Sequence, residues 1–201
     1  GESINEITDL RGTAYCSQAC PEDAVELPSY EEVIKSGDAY NRAFKLASEQ
    51  KNPFSGKALC QPHGERQVVV NPPAMPLAEE QLDRVYALPF TKLPHPSYRE
   101  PIPAYAQIKF SITSHRGCCG GCAFCAITHH QGKTIQSRSE KSVREELDRL
   151  SRHPDFRGTV TDVGGPTANM YGMHCNDPQA QSSCRRESCL YPQICKNLNT
   201  N

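Results

Sequence analysis

The sequence has no apolar run approaching the ~18 residues of a membrane-spanning helix. It opens on GESINEIT, which reads as neither a secretory signal nor a transit peptide, so neither membrane insertion nor secretion is expected. It carries almost no net charge: 22 Lys and Arg against 23 Asp and Glu give −1 at pH 7. That leaves no electrostatic footprint for general nucleic-acid binding. Apolar residues are scarce, 37% of the chain, with a mean hydropathy of −0.62. This is thin for a self-sufficient core, since globular domains average about 45–50% on a similar count. Internal repeats and low-complexity tracts are absent. What the chain does have is 16 prolines, 13 glycines and 11 cysteines in 201 residues. The first two predict much loop; the cysteines call for a chemical reason.

Hydrophobic spacing places the elements. A strand is predicted over Thr8–Tyr15, followed by Cys16 and Cys20, which read as unliganded thiols. Ser29 to Lys51 reads as one helix: Ser29 and Glu32 form a capping box, Val33, Tyr40, Phe44 and Ala47 share a face, and Pro53 stops it. Arg66–Asn71 is a short strand and Leu77–Leu88 a helix with Leu82, Val85 and Tyr86 inward. Pro89, Pro94, Pro96, Pro101 and Pro103 then fall within LPFTKLPHPSYREPIPAY, which reads as an extended linker. The domain boundary is expected there, near residue 100, giving regions 1–100 and 101–201.

Beyond it the pattern changes. Ile108–Ser114 alternates and reads as a strand. Ser139 caps a helix whose buried stripe is Val143, Leu147 and Leu150, with Glu, Lys and Arg on the wet face. Gly158–Val163 is the next strand, ending in Gly164, Gly165 and Pro166. Strand, helix, strand is a βαβ unit, which implies parallel strands and chemistry at their carboxyl ends.

The run RGCCGGCAFCAIT lies at the first of those ends and holds Cys118, Cys122 and Cys125 at C-x3-C-x2-C spacing. Three thiolates on one short glycine-rich loop can grip a single inorganic cluster. Three on a four-iron cluster leave one iron without a protein ligand, as a catalytic zinc keeps one position open. Counting from Cys119 instead gives the start of a ferredoxin run, but His129 and His130 stand where a further cysteine and proline would follow. A structural zinc site wants paired C-x2-C halves, and one half is present. A disulfide is disfavoured by an odd cysteine count without a signal peptide, and four cysteines in eight residues are too dense for inert packing.

The run FSITSHRGCCGGCAFCAITHHQGKTIQSRSEKS and the later GTVTDVGGPTANMYG resemble the YgiQ family of radical S-adenosylmethionine (radical SAM) proteins. The likeness continues through CRRESCLYPQICKNLNT and, upstream, RGTAY, NPPAMPL and LPHPSY. It implies an α/β fold: the start of an incomplete radical SAM partial (β/α) barrel, preceded by a mixed, loop-rich amino-terminal region. It further implies an internal piece of a longer protein, one expected to fold poorly and turn nothing over by itself. By resemblance Cys118, Cys122 and Cys125 hold a 4Fe-4S cluster whose open iron binds S-adenosylmethionine. One electron, from a donor such as flavodoxin or ferredoxin, then cleaves it to methionine and a 5′-deoxyadenosyl radical that acts on an unknown substrate. Such chemistry and reduced thiols point to the cytoplasm.

The same resemblance sets Phe124 beside the adenine, with a hydrophobic plug under the loop as the other reading. Gly164 and Gly165 match the turn that contacts the methionine amino group. Pro166 replaces the usual acidic residue there, so Thr167 or backbone carbonyls would take its role. Arg138 either pairs with the methionine carboxylate or is an ordinary solvated arginine. Cys119 is a spare, packed thiol. His115, His129 and His130 flank the loop, and either tune the cluster and move protons or are ordinary satisfied histidines.

Cys175, Cys184, Cys189 and Cys195 form a C-x8-C-x4-C-x5-C series in a region, 175–195, of low apolar content. They are candidates for a second metal site, a closed iron–sulfur cluster or zinc. The competing function is a non-enzymatic, metal-stabilised binding module, with both cysteine groups as staples. An electron-transfer protein is the weakest reading, because the ferredoxin run is broken.

Overall fold

The computed structural model describes residues 3–166 and 168–200. The chain divides into two compact units: Gly1–Pro76 with Cys175–Glu187, and Leu77–His174 with Ser188–Asn201. The cut at Pro76–Leu77 falls earlier than the boundary expected near residue 100. It is a mixed α/β protein, and no closed barrel forms among the described residues.

The first unit is built on a four-stranded sheet. Its strands are β1 (Ala14–Ser17), β2 (Val25–Glu26), β3 (Leu59–His63) and β4 (Arg66–Val70), in the order β1-β4-β3-β2. β4 runs antiparallel to both β1 and β3, whereas β2 joins β3 in parallel. The β3–β4 hairpin turns at Gly64, whose φ of 59° suits glycine. Cys60 and Val69, paired across this hairpin, are fully buried. The expected strand Thr8–Tyr15 is thus shifted to Ala14–Ser17, and β3 was not anticipated because Pro62 interrupts its pattern.

The single helix expected over Ser29–Lys51 is two: α1 (Tyr30–Val33) and α2 (Gly37–Glu49). The capping box forms, with Glu32 N–H donating to Ser29 Oγ at 3.2 Å and Ser29 N–H to Glu32 Oε2 at 2.8 Å. The bonds its carboxylate accepts, from the Ser29 backbone first and then from the Ser29 hydroxyl, lower the pKa of Glu32. The break has a local cause: the Ser36 hydroxyl accepts from Ala39 N–H and starts a second helix. Tyr40 and Phe44 of the expected inner stripe are about half exposed.

The second unit opens with α3 (Glu79–Tyr86), of which Leu82 is buried and Val85 is 43% exposed. The proline-rich stretch packs within this unit and ends in a helical turn, α4 (Tyr105–Ile108). That turn shortens the expected Ile108–Ser114 strand to β5 (Ser111–Thr113). β6 (His115–Arg116) follows, then α5 (Ile127–His130), β7 (Gln136–Ser137), α6 (Glu140–Ser151) and β8 (Asp162–Gly164). β5 and β8 pair in parallel across the crossover helix, Thr113 opposite Gly164, as the βαβ reading requires. β6 and β7 pair antiparallel, His115 with Ser137 and Arg116 with Gln136, and so close the base of the cysteine loop.

Ser139 caps α6 as expected, accepting from Ser142 N–H at 3.1 Å. One core cluster gathers Phe110, Ile112 and Leu150 with Val143, Phe156 and Val160, Phe156 lying edge-on to Phe110. Leu147, expected in the stripe, is 41% exposed, and Glu146, expected on the wet face, is 4% exposed. The reason is Arg138, itself wholly buried: it donates to Glu146 Oε2 at 2.5 Å, to Thr113 O at 2.8 Å, and to the Ser142 hydroxyl and carbonyl. Lys92 reaches the other Glu146 oxygen at 2.6 Å from a backbone held at φ 57°. Tyr105 further ties the proline stretch by donating to the Lys92 carbonyl.

Burial works to raise the pKa of Glu146, but Lys92 and Arg138 together outweigh it and hold the carboxyl below its ordinary 4.5. A carboxyl depressed in the folded state stabilises fully above its unfolded value and loses that contribution as pH falls through the folded one. Glu146→Gln is therefore expected to cost about 3–5 kcal/mol at pH 7 by leaving Arg138 buried without its counter-charge. In denaturant unfolding of the full-length protein, the wild type should weaken below about pH 4.5 more steeply than the variant. Parallel pH profiles would refute this role.

Candidate functional site

The cysteine loop leaves β6 through Gly117, at φ 89°. A Cβ there would lie 2.2 Å from the Thr134 carbonyl oxygen, so only glycine admits the two loop limbs this close. Cys118 N–H then donates to Gly132 O at 3.0 Å, and the Thr128 hydroxyl to Cys118 O at 3.1 Å. The loop is pinned at its root and exposed at its tip. Cys118 and Cys119 are buried, Cys125 is half-buried, and Cys122 is exposed. Phe124 is 94% exposed, which excludes the hydrophobic-plug reading.

Cys118 and Cys122 face the same small residue: a Cβ on Gly120 would sit 3.4 Å and 3.8 Å from their sulfurs. Gly120 N–H also points at Cys118 Sγ, 3.4 Å away. Among the described residues no group of three His, Cys, Asp or Glu side chains is arranged to hold a metal ion. The fit to a cluster therefore rests on the donor set and the cradle. Three soft sulfur donors lie on one short loop, two of them already flank one glycine, and a backbone N–H is directed at sulfur, as iron–sulfur ligation favours.

The glycine turn lies beside this loop. β8 ends at Gly164, whose carbonyl accepts from Ser114 N–H at 2.7 Å. The two chain segments thus leave the parallel pair side by side. Gly165 packs directly on His115: a Cβ there would fall 2.1 Å from Nε2. His115 is completely buried, with Nδ1 3.0 Å from Ser114 Oγ. Among the described residues its Nε2 has no partner in hydrogen-bond geometry; the Ala168 backbone approaches, and opposes the lowering of the pKa that burial imposes. His129 and His130 are exposed on α5. Thr167 lies outside the described residues.

Arg138 is neither a solvated arginine nor a free one. Every N–H donor of its guanidinium is engaged inside the unit, and its face covers Tyr86 at 4.2 Å. The second cysteine series is divided between the units, Cys175 and Cys184 in the first, Cys189 and Cys195 in the second. Cys119 meets Cys189: the hydrogen bond between their thiols, then burial, pushes the Cys119 pKa far above the ordinary thiol value. Met170 completes this sulfur-rich pocket, its Sδ 3.7 Å from Cys119 Sγ. Cys16 is a free thiol as expected, whereas Cys20 is not: it forms a disulfide with Cys60. The chain spacing of 40 residues hid that pair. The pairings Cys119–Cys189, His115–Gly165 and Arg138–Glu146 likewise join residues that no local motif connects.

The profile of the family described as Radical SAM N-terminal matches residues 1–111. The chain belongs to that family. It is 56% identical to a UPF0313 protein of Geobacter sulfurreducens, covering 98% of this chain and 33% of that protein. A UPF0313 protein of Methanocella arvoryzae is 49% identical over 99% of the chain and 34% of its own length. One from Methanosarcina acetivorans is 44% identical over 100% and 31%. These relatives represent the YgiQ family that the loop motifs resemble, and this radical SAM chain spans about a third of their length. No solved structure matches it. The profile ends before Cys118, so the cysteine loop lies in the part that only the full relatives cover.

Gly165→Ala should destabilise the protein by about 1–3 kcal/mol, the usual cost of overpacking. His115→Ala should relieve much of that cost when the two are combined, as expected of touching residues. Strict additivity in a double-mutant cycle by denaturant unfolding would show that the ring and the glycine are not in contact.

Proposed function

We propose that the protein of which this chain forms part is a radical SAM enzyme. Cys118, Cys122 and Cys125 would hold its 4Fe-4S cluster, and Gly164 and Gly165 would receive the methionyl end of S-adenosylmethionine. The observation that carries this reading is the side-by-side exit of the cysteine loop and the glycine turn from one parallel strand pair, Thr113 opposite Gly164. Parallel strands place ligands beyond their carboxyl ends. When bound, the cluster supplies the electron that cleaves S-adenosylmethionine to methionine and a 5′-deoxyadenosyl radical.

This chain's residues bind and orient. Gly120 leaves room for the sulfurs and directs its N–H toward Cys118. Pro166 provides neither an acidic group nor an N–H, so the methionyl amino group would meet backbone carbonyls of the turn or Thr167. Phe124, exposed between Cys122 and Cys125, offers an aromatic face for adenine. Arg138, internally satisfied, holds the site's frame in place of the methionine carboxylate. The first β/α units of a partial barrel are the architecture this reading extends from β5, α6 and β8. A flavodoxin- or ferredoxin-type electron donor and a cytoplasmic setting follow from the chemistry. Among the described residues no helix is long and apolar enough to cross a membrane.

Anaerobic reconstitution of the full-length protein with iron and sulfide should give a brown, four-iron centre. Dithionite should then drive release of 5′-deoxyadenosine and methionine from S-adenosylmethionine. Cys118→Ala, Cys122→Ala and Cys125→Ala should each abolish both, whereas Cys119→Ala should keep the iron. A colourless protein holding zinc alone would overturn the proposal in favour of a metal-stabilised binding module.

A further inference from the structure

We propose that Cys119 and Cys189 form a reversible disulfide, a redox site separate from the triplet, which fastens the segment around Ser188–Cys195 to the root of the cysteine loop. Backbone geometry brings the two residues within reach. Cys189 N–H donates to Cys119 O at 2.9 Å. An amide nitrogen lies about 1.5 Å from its own Cα, and a carbonyl oxygen about 2.4 Å from its own. That bond alone therefore holds the two α-carbons within about 6.8 Å, the outer edge of the range that disulfides span.

Side-chain placement agrees, because Cys189 packs against the buried cluster that holds Cys119 and Met170. The side chains packed around them, Met170, Met173, Ile127, Ile135 and Leu198, are apolar. Cys118, the neighbour in sequence, does not compete. Its carbonyl is held by Thr128, its N–H by Gly132, and its sulfur lies against Gly120.

Accessibility sets the order of events. Cys119 is 2% exposed and Cys189 is half-buried, so Cys189 reacts first. The oxidant is a low-molecular-weight disulfide of the oxidised-glutathione class. Cys189 sulfur bonds to one of its sulfurs, and the other leaves as a thiol carrying the proton Cys189 gave up. Cys119 sulfur then displaces the attached thiol, which takes the proton from Cys119. Two protein thiols are oxidised by two electrons and one external disulfide is reduced to two thiols. The reaction consumes none of Cys118, Cys122 or Cys125, so it stands whether or not those residues hold a cluster.

The test is disulfide mapping of the metal-free, full-length protein, equilibrated anaerobically with oxidised and reduced glutathione, acid-quenched and alkylated with N-ethylmaleimide. Tandem mass spectrometry of the unreduced digest should find Cys119 joined to Cys189. That species should vanish on adding dithiothreitol and in Cys119→Ser or Cys189→Ser, and should persist in Cys118→Ser and Cys195→Ser. The Cys20–Cys60 bridge serves as the internal check that the protein is folded and oxidised. If that bridge forms while Cys189 is recovered alkylated, glutathionylated or joined to any cysteine other than Cys119, the proposal is wrong.

Discussion

Arg138 ties together the parts of the second unit that position the cysteine loop. Its N–H donates to Ser114 O, its guanidinium reaches Thr113 O, and its remaining donors hold Ser142 and Glu146 on the crossover helix. A single side chain thus joins the strand entering the loop, the segment leaving it, and the helix that returns to β8. Tyr171 adds a bond to the Arg138 carbonyl at 2.7 Å. A guanidinium suits this task because its rigid fork satisfies several acceptors at once and cannot be deprotonated. Burying it is tolerable only because Glu146, the Thr113 and Ser142 carbonyls and the Ser142 hydroxyl answer its donors. In a chain with so few apolar residues, this polar network does part of the organising that a larger core would otherwise do.

The loop it frames is divided in two by exposure. Cys118 and Cys119 lie inward against Met170, and Cys122 and Phe124 lie outward in solvent. The root is thus anchored in the apolar cluster, and the tip is open to solvent. They also sort the cysteines by surroundings. Cys119 is buried beside Cys189 and Met170, whereas Cys122 is exposed. The consecutive cysteines of CCGGC are therefore not redundant, because the backbone sends their sulfurs to different partners.

Local signals were legible in the sequence and long-range pairings were not. Ser29 with Glu32 and Ser139 with Ser142 are caps within a single helical turn, and both formed as read. The parallel pairing of the strands around α6 followed from strand–helix–strand order alone. The apolar spacing across Ser36 argued for one continuous helix, whereas its hydroxyl caps and starts a second. Glu146 looked wet because helical position alone cannot reveal that an arginine eight residues away is buried beneath it. β3 was hidden by Pro62, and the Cys20–Cys60 bridge by a separation of 40 residues. At the candidate site, the sequence marked out the loop and the glycine turn, but not that His115 packs against Gly165.

That histidine accounts for the spacing of the cysteine loop and the glycine turn. The Ser114–Gly164 bond draws the β6 root and the β8 end together, and only the absence of a side chain at Gly165 lets the imidazole fit between them. The glycine is needed at this position for space rather than for a left-handed φ, since Gly165 is not among the positive-φ glycines. An alternative in which the ring serves mainly as a proton carrier fits less well. It is wholly buried, its Nδ1 is occupied by Ser114, and burial favours the neutral form. A neutral, immobile ring is better placed to act as a spacer. It sets how far the glycine turn stands from the cysteine loop, and hence the width of the opening that a cluster and its ligand would have to share.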